Sequence, residues 1–406
     1  MSGAAGRAAI VFLAFAFAYF LSALLRAVTA TLAPVFSQEL GLGAADLGLL
    51  AGAYFFGFAA VQLPLGRALD RYGPRRTLLV LLGVAVLGCA AFASARSLPT
   101  LIGARGLIGA GVGACLMAAL TCYRHTFGVA AQLRANSWML MTGSLGMVAS
   151  TVPVQVLLPL VGWRGLFWAL AVLLAVAAAG IAVFVPRDAA AAPASPATPS
   201  GYWEIVRHPV FVRAMPLAFF VYGGMIAIQA LWAGPWLTRV AGRTPLEAAQ
   251  GLLAVNLSML CAFAAWGVVM PRLAKRGVDA WRLVAWGLPL CFVVLAIIVV
   301  RGAAAGAAHW ALWCVACTFV SVSQPAVGSA FPAAQAGRAL SAFNLVIFAG
   351  VFCIQWSMGL GIDALRASGL DEPIAYRWAF AVFGACGLLS YAWFLHRRGL
   401  ADHNPP

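Results

Sequence analysis

The chain has 406 residues, of which 64% are hydrophobic and only 9% charged, with a formal net charge of +15. Ordinary globular domains are about 45 to 50% apolar and about 25% charged, so a soluble chain of this length has nowhere to hide so much apolar surface. A soluble enzyme and a nucleic-acid-binding domain are both excluded on that ground, and the positive charge needs another explanation.

Crossing the hydrocarbon layer takes about 20 apolar residues. Runs of this kind fall at 8–34, 45–65, 77–95, 100–122, 136–160, 165–185, 214–238, 248–270, 283–300, 306–331, 339–361 and 378–396, which predicts twelve transmembrane segments. Backbone groups in lipid must bond within their own segment or within a closed barrel. Runs this long and continuously apolar do not alternate as barrel strands do, so the segments are read as helices. The first run is too long for the core of a cleavable signal peptide and is expected to stay in the mature protein.

Helix 1 carries Tyr19, Ser22, Arg26 and Thr29 at offsets of 3, 4 and 3, a polar stripe on an otherwise apolar helix. A cation inside a span is costly and usually faces a cavity or a partner. Two placements are open. The stripe lines water or substrate, which we prefer, or Arg26 snorkels to the outer headgroups, about 12 Å away at 1.5 Å per residue. Tyr54 and Gln62 are expected to face inward from helix 2.

The next loop reads Gly66-Arg67-Ala68-Leu69-Asp70-Arg71-Tyr72-Gly73-Pro74-Arg75-Arg76. Gly66 suits close helix approach, Gly73 and Pro74 call for a tight turn, and the arginines sit at headgroup level, where cations are welcome. Asp70 has cationic partners at hand. On helix 4, Arg105 precedes Gly109, Gly111 and Gly113, a run that suits close helix contact and makes Arg105 a structural or gating element. Gly162-Trp163-Arg164 with Phe167 opens helix 6.

A seam at 186–213, Ala/Pro/Ser-rich over 188–200, divides the spans six and six. The expected domains are therefore an N-terminal bundle at 1–185, a linker at 186–213 and a C-terminal bundle at 214–406. In the second half, Tyr222, Gln229 and Trp236 recur every seven residues on helix 7 with Trp232 close by, Asn256 lies on helix 8, and Asn344 and Gln355 lie eleven apart on helix 11. Each amide serves equally as a cavity residue or as an interhelical hydrogen bond. The loop after helix 8 echoes the first loop through Gly267, Arg272, Lys275, Arg276 and Gly277, with Pro271 in the place of Asp70. All nine cysteines fall in predicted spans, and the C-x-x-C of Cys314 and Cys317 reads as buried packing rather than metal or redox chemistry.

The basic residues now find their explanation. With the N-terminus inside, 17 lie on the cytoplasmic side, 7 on the other, and Arg26 and Arg105 within helices, which puts both termini in the cytoplasm of a multi-pass inner (plasma) membrane protein.

Taken together, the loop Gly66, Asp70, Arg71, Gly73, Arg75, Arg76, the Arg105 motif, the helix-6 entry and the helix count resemble the major facilitator superfamily over essentially the whole chain. The resemblance implies an all-α integral membrane fold of twelve transmembrane helices in two pseudo-symmetric six-helix bundles. It also implies that the loop latches the halves on the cytoplasmic side during alternating access. The spacing of Arg26 to Pro34 and Asp46-Leu47-Gly48 is similar to that in the organophosphate antiporters and organic-anion transporters, whose members hold an anionic substrate with an arginine at the matching place. The chain departs from both branches. Helix 7 has Met225, Ile226 and Gln229 where phosphate carriers place a second arginine, the neighbour of Arg26 is Leu25, and helix 4 has no acid.

The first functional reading is thus a secondary active or facilitative transporter of a small organic anion, a carboxylate in particular, working as a monomer without cofactor, metal or nucleic acid. None of the eleven acidic residues lies deep in a predicted span, with Asp46, Asp363 and His309 near helix ends, which favours exchange or facilitated movement over proton coupling. A drug or sugar efflux carrier driven by proton antiport and a non-transporting sensor on the same scaffold remain as alternatives. No metal-ligand cluster, nucleophile constellation or phosphate loop points to an enzyme.

Overall fold

A computed structural model describes residues 2–126, 129–186 and 202–397 of the chain, and among these every regular element is helical. We label the helices α1 (Ser2–Leu40), α2 (Ala44–Leu69), α3 (Arg71–Ser94), α4 (Leu98–Tyr123), α5 (Val129–Ala149), α6 (Val152–Phe184), α7 (Pro209–Val240), α8 (Pro245–Lys275), α9 (Ala280–Arg301), α10 (Ala307–Ser329), α11 (Ala333–Ala367) and α12 (Glu372–His396). Eleven of these are long and apolar enough to cross a membrane by themselves. The fifth crossing is composite. The apolar part of α5, Trp138–Ala149, continues through a turn into the first part of α6, which then bends at Gly162 (φ 65°) and runs on as the sixth crossing.

Several helices overrun the apolar runs that announce them. α1 has 39 residues, about 58 Å at 1.5 Å per residue, nearly twice the hydrocarbon thickness. Apolarity ends at the lipid boundary, whereas a helix continues until something breaks it, such as Gly41 at φ 64° after α1. The linker segment 187–201 lies outside the described residues, and a short helix, Tyr202–Arg207, follows it.

α7 is unusual. Three π-helical stretches, Ala218–Tyr222, Ile228–Trp232 and Trp236–Val240, alternate with α-helical ones along it. Such widened turns are rare and gather at functional sites.

By contacts the chain forms two compact units. Unit 1 holds 1–29 and 53–198, and unit 2 holds 30–52 and 199–406. The far end of α1 and the beginning of α2 thus pack with the helices of the second half. There, Asp363 of α11 accepts hydrogen bonds from the amides of Ala44 (3.2 Å) and Ala45 (2.7 Å) at the start of α2. Asp46 accepts from Gly43 in the same turn (3.2 Å). The first turn of a helix leaves its amides without partners, and a carboxylate there also meets the positive end of the dipole. In unit 2, α10 packs on α8 and α9, and α11 and α12 pack on α7 and on each other.

Candidate functional site

In unit 1 the centre of the site is a pair of intramembrane arginines with different surroundings. Arg105 is buried on α4, where its guanidinium donates to the Leu25 carbonyl (2.9 Å) and to the Thr29 hydroxyl and lies 5.1 Å from the Tyr54 ring centre. The backbones approach closely beside it. A Cβ on Gly109 would fall 1.9 Å from the Tyr54 carbonyl oxygen, so only glycine fits at this crossing of α4 and α2. Ser22 donates to the Val112 carbonyl (3.4 Å), and the Tyr54 hydroxyl donates to the Ser22 carbonyl (3.1 Å). Ser22, Thr29 and Tyr54 are therefore occupied in fastening α1, α2 and α4 together.

Arg26 differs. Its side chain is only partly buried, the Phe58 ring lies 5.7 Å from it, and the Tyr54 and Tyr19 oxygens flank it. Tyr19 stands seven positions before Arg26, about 10 Å nearer the start of α1 at 1.5 Å per residue, so the guanidinium reaches back along the helix toward it. Its Nε has no hydrogen-bond partner, as is also true of one terminal nitrogen of Arg105, and among the described residues no carboxylate pairs with Arg26 or Arg105. A cation whose neighbours are phenols and a ring face keeps donor capacity for an incoming anion.

The loop between α2 and α3 also lies in unit 1. Gly73 turns it with φ 79°, a conformation that only glycine adopts at low cost. Arg75 donates to the Ala182 carbonyl near the end of α6, where the helix dipole favours a cation. Gly66, Arg67, Arg71 and Arg76 are exposed, and the Asp70 side chain lies outside the described residues.

In unit 2 the sequence-derived amides are all hydrogen-bonded within the protein. Gln229 donates to Asn256 (2.9 Å), Gln324 donates to Asn344 (2.7 Å), and Gln355 donates to the Ala227 carbonyl (3.3 Å). Tyr222 packs against an apolar cluster that includes Phe211, Phe343 and Ile347. Trp232 and Trp236 are fully buried; Trp236 donates to the Ala305 carbonyl (3.0 Å) and stacks edge-on with Trp310 and Phe380. The Trp232 Nε1, the Trp310 Nε1 and the Gln355 Oε1 are buried without a hydrogen-bond partner.

Phe58, Gln324, Trp310, Phe380 and Asp363 bear on these sites but were not among the residues singled out for them. Phe58 follows Tyr54 by one helical turn, and that spacing was its only signal. Asp363 answers a visible deficiency, because the stretch Gly41-Leu42-Gly43 before α2 offers no side chain to cap the helix.

The profile of the Major Facilitator Superfamily matches residues 15–353. The chain is 28% identical over 149 residues to a probable sulfoacetate transporter of Cupriavidus necator, and 30% identical over 217 residues to a chloramphenicol resistance protein of Streptomyces lividans. Those alignments cover 37% and 52% of this chain and 35% and 54% of the relatives, so the chain spans about a third and about half of their lengths. Among solved structures it is similar to the POT family transporter PepTSo (TM-score 0.80, 15% identity, 98% of this chain and 99% of that one). It is also similar to a bacterial homologue of the human lysosomal transporter Spinster (0.76, 16%, 98% and 99%) and to a D-xylose-proton symporter (0.71, 14%, 95% and 96%). At these identities the likeness is one of fold.

Proposed function

The chain belongs to the major facilitator superfamily, and from that premise we propose that it carries a small organic anion across the membrane by alternating access, with Arg26 as the residue that holds the anion. The observation behind this reading is the contrast between the two arginines. Arg105 is fully buried and donates to Leu25 and Thr29 of α1, whereas Arg26 is only partly buried, is flanked by Tyr19 and Tyr54, and leaves its Nε without a hydrogen-bond partner. A cation held inside a span without a counter-ion is costly unless a ligand supplies one. Tyr19 and Tyr54 orient the guanidinium. Trp232, Gln229, Asn256, Asn344 and Gln355 are proposed to contribute solute contacts in unit 2, beyond the bonds they already make.

The chemistry of a sulfoacetate carrier agrees with this reading, since a sulfonate and a carboxylate both suit a guanidinium fork. The absence of acidic residues deep in the spans favours exchange or facilitated movement. Both termini are proposed to lie in the cytoplasm of a plasma-membrane protein, a reading supported by the distribution of basic residues, and the protein is proposed to act as a monomer. The second reading is efflux of a neutral drug, supported by the likeness to a chloramphenicol resistance protein.

The test is a pair of substitutions assayed with sulfoacetate and a panel of small carboxylates on purified protein and in proteoliposomes. Arg26→Gln deletes a charge-assisted bond in a low-dielectric site, a loss of about 2 to 5 kcal/mol, so affinity falls at least about thirtyfold. Arg26→Lys recovers only part, because a point charge does not reproduce the fork. Unchanged anion uptake by well-expressed Arg26→Gln, together with chloramphenicol transport, transfers the function to the efflux reading.

A further inference from the structure

Unit 1 holds a cavity whose lining does not include Arg26. Between α2 and α3 this cavity of about 460 Å³ is walled by Val61, Pro64, Leu65, Ala68, Val80 and Leu81, with Tyr72 and Arg76 at one end. That volume is in the range that takes one organic chain, about 300 to 1,000 Å³. The walls offer no hydrogen bonds along their length, because the Thr77 hydroxyl is turned away to the Ala68 carbonyl (3.1 Å).

The groove opens on the exposed side of α3. Arg76, Val80, Gly83 and Leu87 are exposed at offsets of 4, 3 and 4, a single helical stripe, and Val80 is 69% exposed. Within a span of this hydropathy such a stripe faces acyl chains. Charge at the mouth is one-sided: the segment 66–76 holds four arginines against one aspartate. Arg67, Arg71 and Arg76 are exposed, Arg71 lies 5.3 Å from the Tyr72 ring centre, and Arg75 is committed to α6. An apolar slot ending in a cationic rim matches a molecule with an apolar tail and an anionic head.

We infer that this groove binds one anionic phospholipid, with an acyl chain between α2 and α3 and the phosphate on Arg71 and Arg76. The site is independent of the transported solute. It makes the loop between α2 and α3 responsive to the lipid composition of the leaflet in which it sits.

Native mass spectrometry of the delipidated full-length protein, titrated with phosphatidylglycerol, phosphatidylcholine or inorganic phosphate, tests this. One phosphatidylglycerol is expected to bind at least about tenfold more tightly than phosphatidylcholine. Val80→Trp and Ala68→Phe, which fill the slot from its two walls, abolish that binding, whereas Leu87→Trp on the same stripe beyond the slot leaves it intact. Arg76→Gln weakens it about fivefold, the effect of one basic residue at a charged interface. Equal binding of the two lipids, retention of phosphatidylglycerol by both filled variants, or its displacement by equimolar inorganic phosphate would each overturn the assignment. The last result would leave only an anion patch.

Discussion

At the scale of single residues, the two cations inside the spans are chemically identical and differ only in their partners. Arg105 donates to α1 and is covered by the Tyr54 ring, so its loss is expected to be a loss of stability. Arg105→Leu leaves the Thr29 hydroxyl and the Leu25 carbonyl without their charged donor, a cost of about 1.5 to 3 kcal/mol. The midpoint of thermal or denaturant unfolding in detergent should fall accordingly, while Arg26→Gln leaves it nearly unchanged. Equal destabilisation by both would mean that Arg26 is also a structural donor, and the division of roles would fail. Both arginines were conspicuous in the sequence because a cation interrupts an apolar run. Phe58 was not, since one phenylalanine among many on a membrane helix carries no mark of the guanidinium beside it.

At the scale of elements, the start of α2 shows how an interaction escapes a linear reading. Asp363 lies 319 residues after Ala44, and nothing local to either position announces the pairing, although the poor cap before α2 announces that a partner is needed. Asp363→Ala should weaken this attachment by about 0.5 to 2 kcal/mol, the usual effect of losing an N-cap. A cysteine introduced at Leu42, beside the capped turn, should then react faster with a water-soluble maleimide than it does with Asp363 intact. An unchanged labelling rate would show that the close approach of α2 and α11 at Gly48 and Gly359, and not the carboxylate, holds this attachment. The signature loop was legible in a different way, because Gly73 and Pro74 specify the turn by conformation alone, and the structure places the positive φ at Gly73. The amides of α7, α8 and α11 were legible as polar residues on apolar helices but not as pairs, because Gln229 with Asn256 and Gln324 with Asn344 are matches made by helix packing.

At the scale of the whole molecule, apolar length alone announced the twelve crossings, and the lipid solvent is the reason: a chain in hydrocarbon has few options besides the helix. Composition could not show where the backbone departs from that regularity. The three widened turns of α7 leave no trace in the residue pattern, since Ala218–Tyr222 and Trp236–Val240 read like any apolar helix. They do mean that α7 contains slack. A helix wound uniformly at 3.6 residues per turn has no spare residue, so removing one rotates everything beyond it by about 100°. A helix with a π turn can surrender a residue by tightening that turn and leave both ends in register. Deletion of Ala230, inside Ile228–Trp232, is therefore expected to give a folded, membrane-inserted protein that has lost the Gln229 to Asn256 bond. Deletion of Ala285, in α9, which contains no widened turn, should abolish folded protein. Monodispersity after solubilisation compares the two, and equal damage from both would mean that the widened turns are rigid parts of the packing instead of a reserve of chain.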